Sequence, residues 1–301
     1  MIIIKFSGGL GNQMQQYALY EKFRFLGIPV KADISWFEES VKKNKHRELE
    51  LLRFENVKLE VCTVKEKEAF IGSDHFLDKC RRFIRPGQYK LFLEQQMYHP
   101  EIFLLQDAYL NGYWANEYYY ADILPILQKI LRFPESQNPK NVEAAFAMKQ
   151  ECSVSIHIRR GDYLDPENEA MFGNICTESY YKSAISMLET LAAKTHEQIR
   201  FYLFSDDQEY IRQNYVGEQF IYVDWNTGKE SWYDMYLMSM CRHNICANST
   251  FSFWGARLNE TPDKTMIRPL RHKNSQQYNP EQMKEYWKKW TLIDNDGRVF
   301  S

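Results

Sequence analysis

The opening residues Ile2, Ile3, Ile4 and Phe6 form a continuous apolar run, the pattern of a strand buried on both faces. Gly8 to Gly11 then turn the chain, and MQQYALYEKFRFL carries Tyr17, Leu19, Tyr20 and Phe23 at helical spacing. Val30 to Ile34 reads as a second strand, completing a strand–helix–strand unit of the kind that builds parallel sheets. Residues 40–100 mix charge without a clean period and are read as helices and loops. The Asn138-Pro139-Lys140-Asn141 segment collects turn residues between apolar stretches and is read as a linker.

Beyond that segment the alternation restarts. SVSIHI, RFYLFSDD, FIYVDW and HNICAN read as strands, with TESYYKSAISMLETLAAK, WYDMYLMSM and TFSFWGARLN as helices between or after them. Ser231 with Asp234 has the form of a capping box ahead of the WYDMYLMSM helix. Two successive α/β runs predict two doubly wound, Rossmann-like domains, 1–140 and 141–301, facing across a cleft at the carboxyl ends of their strands. There is no internal repeat and no low-complexity segment.

Composition narrows the class. In 301 residues, 38 Lys+Arg nearly balance 40 Asp+Glu and 44% of positions are hydrophobic, which fits a globular protein and gives no reason to expect a nucleic-acid partner. The six cysteines, Cys62, Cys80, Cys152, Cys176, Cys241 and Cys246, contain no C-x-x-C pair and read as reduced thiols. The apolar start is too short for a signal peptide and no ~18-residue apolar run follows, so a cytoplasmic location is expected.

Four short segments could carry chemistry. HIRRGDY, residues 157–163, closes a strand; alternation puts Ser155, His157 and Arg159 on one face and Arg160 on the other. Adjacent guanidiniums at a strand end call for anionic partners: a diphosphate, or simply Asp162 holding the turn at Gly161. His157 reads as a ligand contact or as a hydrogen-bonded core histidine. The Gly8–Gln13 turn, with Gly9, Gly11, Asn12 and Gln13, can bring backbone N–H groups to an anion or sugar, or be only a tight turn. It is not a dinucleotide fingerprint, since Met14 occupies the third glycine position, and no Gly-Lys-Ser/Thr makes it a P-loop. Asn248, Ser249 and Thr250 can cap a helix and receive a phosphate at the same N–H groups, with Phe251, Phe253 and Trp254 read as core. Ser205-Asp206-Asp207 reads as a polar, hydrogen-bonding strand end, and no metal site is expected.

Taken together and in order, GGLGNQMQQYA, NGYWANEYYY, HIRRGDY, FSDD and ANSTFSFWGARLN resemble the α-1,2-fucosyltransferases of glycosyltransferase family eleven, over nearly the whole chain. The resemblance implies a GT-B fold, GDP-β-L-fucose as donor and co-substrate, no cofactor, no obligatory metal, and inversion at the anomeric carbon. It implies Arg159 on the β-phosphate, His157 against nucleoside or sugar, and Ser249 and Thr250 at the diphosphate, with Arg160, Asn248, Gly9, Gly11, Asn12 and Gln13 as further donor contacts. Domain 1–140 would take the acceptor, a galactose-terminated oligosaccharide or lipid-linked glycan, and domain 141–301 the donor. The general base is Asp162, Asp165 or Glu167, or no dedicated group. A bacterial surface-glycan enzyme would work in the cytoplasm or at the inner membrane, where Lys79, Arg81, Arg82 and Arg85 offer either a membrane contact or a solvated helix face. Gln15, Phe253 and Arg257 depart from the usual aromatic pattern. The alternatives are a GT-B transferase of other donor or linkage, and a catalytically silent nucleotide- or glycan-binding protein.

Overall fold

The computed structural model describes residues 1–42, 47–73, 89–275 and 278–300, without the side chains at 41, 42 and 162. The chain divides into two compact units, Met1–Pro134 and Glu135–Ser301. Among the described residues, the N-terminal unit has a four-stranded sheet, β1 Ile2–Lys5, β2 Val30–Asp33, β3 Leu91–Leu93 and β4 Ala108–Asn111, in the order β2-β1-β4-β3. All its pairings are parallel. Ile2, Ile3 and Ile4 are fully buried, as the unbroken apolar run predicts. Helix α1, Leu10–Phe25, starts inside the glycine turn; α2 Ser35–Lys42, α3 Val64–Ile71 and α4 Leu124–Ile130 follow.

The C-terminal unit holds a seven-stranded sheet: β5 Cys152–Ile158, β6 Ile199–Ser205, β7 Phe220–Val223, β8 His243–Ile245, β9 Met266–Pro269, β10 Thr291–Ile293 and β11 Val299–Phe300. Their order is β11-β10-β9-β8-β5-β6-β7, parallel except for the β10–β11 pair. Its helices are α5 Pro139–Gln150, α6 Pro166–Phe172, α7 Glu178–Thr195, α8 Gln208–Asn214, α9 Tyr233–Met240, α10 Thr250–Leu258 and α11 Pro280–Tyr286. The two parallel α/β units are the pair that the GT-B expectation named.

All seven residues of β5 are buried, and its two faces are packed differently. Val154, Ile156 and Ile158 meet Tyr180, Tyr181, Ala184 and Leu188 of α7, whose buried positions recur at helical spacing. On the other face Ser155 Oγ accepts from Asn244 Nδ2 at 2.7 Å, and Asn244 in turn accepts from Asn259 Nδ2 at 2.8 Å. Those bonds satisfy polar atoms that burial would otherwise penalise. Helices α9 and α10 approach closely at Gly255, where an added Cβ would come within 2.8 Å of Met238 Cβ.

Two readings from sequence are corrected. Asn138-Pro139-Lys140-Asn141 is no linker: Asn138 accepts from Lys140 N at 3.1 Å and caps α5, with Pro139 in its first turn. Asn-Pro serves a helix start as readily as a turn, because the proline's missing N–H would be unpaired there anyway. Ser231 and Asp234 make no capping box; the residue before α9 is Trp232, without a side-chain cap, and Asp234 accepts from Asn226 Nδ2 at 2.9 Å instead. The capping box found among the described residues is Thr63 with Glu66, opening α3 in the stretch read only as helices and loops. Strands β3, β4, β9, β10 and β11 and helices α2, α3, α4, α5, α6, α8 and α11 have no separate counterpart in the sequence reading. Five cysteines are described and none is in a disulfide; Cys80 and the basic run Lys79, Arg81, Arg82 and Arg85 lie outside the described residues.

Gly255→Ala tests the α9–α10 packing. Overpacking of about 1–3 kcal/mol opposes a helix-propensity gain of about 1 kcal/mol, so a net loss of stability of up to about 2 kcal/mol is expected in urea melts. Stability raised by the full propensity gain would show that the helices separate freely.

Candidate active site

In the C-terminal sheet the chain runs outward from β5 through β6 to β7, then returns to β8 on the other side of β5 and continues to β9 and β10. The order reverses between β5 and β8, and in an open α/β sheet ligands bind outside the carboxyl ends of the strands at such a switch point. The loops leaving those two strands carry His157–Arg160 and Asn248–Thr250. Tyr163 Oη donates to the Asn248 carbonyl at 3.2 Å, so the two motifs, distant in sequence, are brought together.

The arginines are held by the tandem carboxylates that end β6. Arg159 Nη1 lies 2.8 Å from Asp206 Oδ2, and Arg160 Nε donates to Asp207 Oδ2 at 3.0 Å. Asp206 also accepts from Arg160 N at 2.9 Å, and its carboxyl lies so near Gly161 that any Cβ there would collide with it. A side chain at position 161 would push the Asp206 carboxylate off its arginine contacts. Asp207 caps α8 through Tyr210 N at 3.0 Å; that N–H, and then Arg160, hold its carboxyl below the usual carboxylate range against the opposing effect of desolvation. The Arg160 guanidinium lies 3.8 Å from the centre of the Tyr210 ring, a cation–π contact. Asp206 and Asp207 are partners of these arginines; Asp162, the partner that the sequence suggests, has its side chain outside the described part of the structure.

Beside these arginines is a pocket of about 280 Å³, lined by Arg159, Arg160, Tyr163, Cys176, Tyr210 and Asn248, among others. Arg159 is 31% exposed, so its guanidinium can face a ligand while remaining paired. Ser249 Oγ accepts from Phe251 N at 3.3 Å as the cap of α10, and Thr250 opens that helix. Asn248 is a brace: its Nδ2 donates to the carbonyls of Phe172 at 3.1 Å and His272 at 3.2 Å, and its Oδ1 faces Cys176 Sγ at 3.6 Å. Asp165 precedes α6 without making a side-chain cap, and Glu167 is exposed in its first turn.

His157 is buried on the opposite face from the α7 core, its ring 5.9 Å from that of Phe251. Burial, reinforced by Arg159, pushes its imidazole down to about 3, so the ring is neutral at physiological pH. Its Nδ1 is buried without a hydrogen-bond partner among the described residues. Such an atom is matched when a ligand supplies the missing group.

The glycine-turn candidates belong to the N-terminal unit. Gly8 has φ of 82°, Gly9 precedes α1 in an extended conformation, and Gly11 and Asn12 lie in the helix's first turn. Gln13 is fully buried, donating to the carbonyls of Gly8 at 2.9 Å and Glu48 at 3.0 Å and accepting from Leu51 N at 3.0 Å. Its amide is thereby committed to fastening the turn to the segment at Glu48–Leu51.

Several groups here have no sequence signal as a pattern. Tyr163 and Tyr210 flank the arginines. Arg257 and Arg268, each 1% exposed, lie against aromatic rings: Arg257 is 5.3 Å from the ring of Trp254 and 5.6 Å from Trp287, and Arg268 is 3.8 Å from Trp287 and 4.2 Å from Phe253. The departures at 253 and 257 are thus parts of one arginine–aromatic cluster. Asp234, in the first turn of α9, is joined through Asn226 to Asn141, and burial raises its carboxyl to about 7 despite the Asn226 bond. Among the described residues no three His, Cys, Asp or Glu side chains are grouped to hold a metal, and no helix is long and apolar enough to cross a membrane.

A doubly wound sheet with paired arginines and a capped helix start at its switch point defines an α/β protein with an arrangement suited to an anionic ligand. The profile of glycosyl transferase family 11 matches residues 1–294, and the chain belongs to that family. It is 31% identical over 285 residues to the O-antigen biosynthesis glycosyltransferase WbnK of Escherichia coli, covering 87% of this chain and 92% of that protein. It is 28% identical over 275 residues to an α-1,2-colitosyltransferase of the same species, covering 86% and 87%. A galactoside α-(1,2)-fucosyltransferase 1 of Ateles belzebuth is 31% identical over 107 residues, 35% of this chain and 28% of that one. Among solved structures, the α-1,6-fucosyltransferase NodZ matches with a TM-score of 0.45 at 12% identity, over 88% of this chain and 94% of that one.

Asp234 gives a pH-dependent prediction. Its folded-state pKa lies above that of the unfolded chain, so the protonated carboxyl stabilises the fold below about pH 4 and this contribution is lost as pH rises through about 7. Asp234→Asn should match the parent near pH 4 and exceed it at pH 8 by on the order of 2 kcal/mol in urea melts. Parallel pH profiles for the two proteins would contradict this.

Proposed function

We propose that this family 11 glycosyltransferase moves L-fucose from GDP-β-L-fucose to the 2-hydroxyl of a galactoside, with inversion, to form an α-1,2 linkage. The observation that carries this reading is Arg159, anchored by Asp206 yet part-exposed to the pocket at the switch point. In a single displacement the acceptor oxygen attacks the anomeric carbon as the bond to GDP breaks on the opposite face. Negative charge grows on the departing diphosphate, and a fixed guanidinium and the N–H groups at the start of α10 are suited to stabilise it. Because Asp206 already orients Arg159, little reorganisation is needed when that charge develops. Neutral His157 offers its Nδ1 to a donor group on the nucleoside or sugar. Asp162 is the proposed base for the acceptor hydroxyl, with Asp165 and Glu167 in the same loop as alternatives.

In this reading the C-terminal unit takes the donor and the N-terminal unit the acceptor, the turn at Gly9, Gly11 and Asn12 adding backbone contacts that Gln13 supports from behind. The relation to WbnK supports an acceptor glycan on its way to the cell surface, completed in the cytoplasm or at the inner membrane. The relation to the α-1,2-colitosyltransferase favours one second reading, colitose in place of fucose with the same linkage chemistry.

GDP release from purified protein with GDP-fucose should depend on added lactose or N-acetyllactosamine and survive EDTA. Arg159→Ala should lower turnover about 10²–10³-fold with an unchanged melting temperature, the range seen when one transition-state donor is lost. Near-parental turnover in that variant would sink the assignment of Arg159; release from the colitose nucleotide alone would move the donor to the second reading.

A further inference from the structure

The N-terminal sheet has a switch point of its own. The chain steps from β1 to β2 on one side, then crosses to β3 at the far edge and comes back to β4 beside β1, so the loops after β1 and β4 flank the reversal. A single side chain ties those loops together: Gln16, fully buried, accepts from Ser7 N at 2.9 Å and donates to the Gly112 carbonyl at 3.1 Å. Next to this tie the backbone is strained. Trp114 has φ of 56°, the left-handed region that a bulky residue rarely enters, and its side chain is fully buried against Phe92 and Tyr119. The Glu94 carboxylate holds that conformation by accepting from Tyr113 N at 2.7 Å and Trp114 N at 3.0 Å. Strain of this kind persists only where surrounding contacts over-determine it, and it gathers at ligand sites.

The result of the strained turn is that Trp114 goes inward while Tyr113, its neighbour, is left half-exposed at the carboxyl edge of the sheet. An aromatic ring with a phenolic edge, held on a backbone that Glu94 fixes and that Gln16 ties to the loop after β1, suits a ligand with an apolar face and a hydroxylated rim. A pyranose ring has both. We propose that Tyr113 is the stacking platform for the terminal galactose of the acceptor, with Glu94 and Gln16 as positioning residues. The inference rests on the proposed reading for the identity of the sugar, and on the strained turn for the place.

Saturation-transfer NMR on the full chain with lactose and with N-acetyllactosamine reads this binding without requiring turnover. Saturation should reach the galactose protons in the parent and in Tyr113→Phe and fall about tenfold in Tyr113→Ala, the factor expected for one lost ring contact. In assays with GDP-fucose, Tyr113→Ala should raise the acceptor KM while leaving the donor KM unchanged; a fall in kcat alone would indicate a structural role and count against the proposal. Equal saturation in the parent and Tyr113→Ala, or none in the parent, overturns it. Failure of the donor reading would appear separately, as absent GDP-fucose turnover with saturation intact.

Discussion

Two adjacent guanidiniums at the end of a fully buried strand are the constraint around which the C-terminal unit is arranged. Like charges so placed repel and lose hydration, and they persist only with carboxylates close by. Asp206 and Asp207, at the end of the neighbouring strand β6, meet that need one to one. The pairing then dictates its surroundings: glycine at 161 because Asp206 approaches so closely, the start of α8 because Asp207 also caps it, and Tyr210 beneath Arg160. Each arginine is gripped by a carboxylate and a ring, Arg159 by Asp206 and Tyr163 and Arg160 by Asp207 and Tyr210, and both line the pocket.

The same unit treats its other buried cations differently. Arg257 and Arg268 are enclosed by Phe253, Trp254, Trp287 and Trp290. Aromatic faces retain attraction for a guanidinium while filling volume as a core must. His272, next to that cluster, is pushed down to about 3 by burial first and by Arg268 next, so it stays neutral, as His157 does on β5.

What could be read in the sequence follows from how local each signal is. The β1 run, the α7 periodicity and Ser249 as a cap depend on neighbours in the chain, and each appears in the structure. The strands β3, β9 and β11 are too short to show a period, and exposed Leu91 and Leu93 reverse the usual meaning of an apolar position. Partners distant in sequence carry no local signal: nothing near Arg159 in the chain announces Asp206, which lies 2.8 Å from it. Asp234 looked like a cap because Ser231 stands three residues before it, yet Asn226 and burial decide its role. Nothing local to Tyr113 or Trp114 announces a strained turn, since it depends on Glu94 from another strand's end.

The most direct test of the account is calorimetric titration of the full chain with GDP, GMP and guanosine, in the parent and in Arg159→Ala. If the anchored arginine receives the diphosphate, GDP binds the parent about tenfold or more tightly than GMP, since a charge-assisted hydrogen bond contributes roughly 1.5–3 kcal/mol, and the gap closes in the variant while guanosine is unaffected. Equal affinity of the parent for GDP and GMP, or a gap that survives the loss of Arg159, would contradict it.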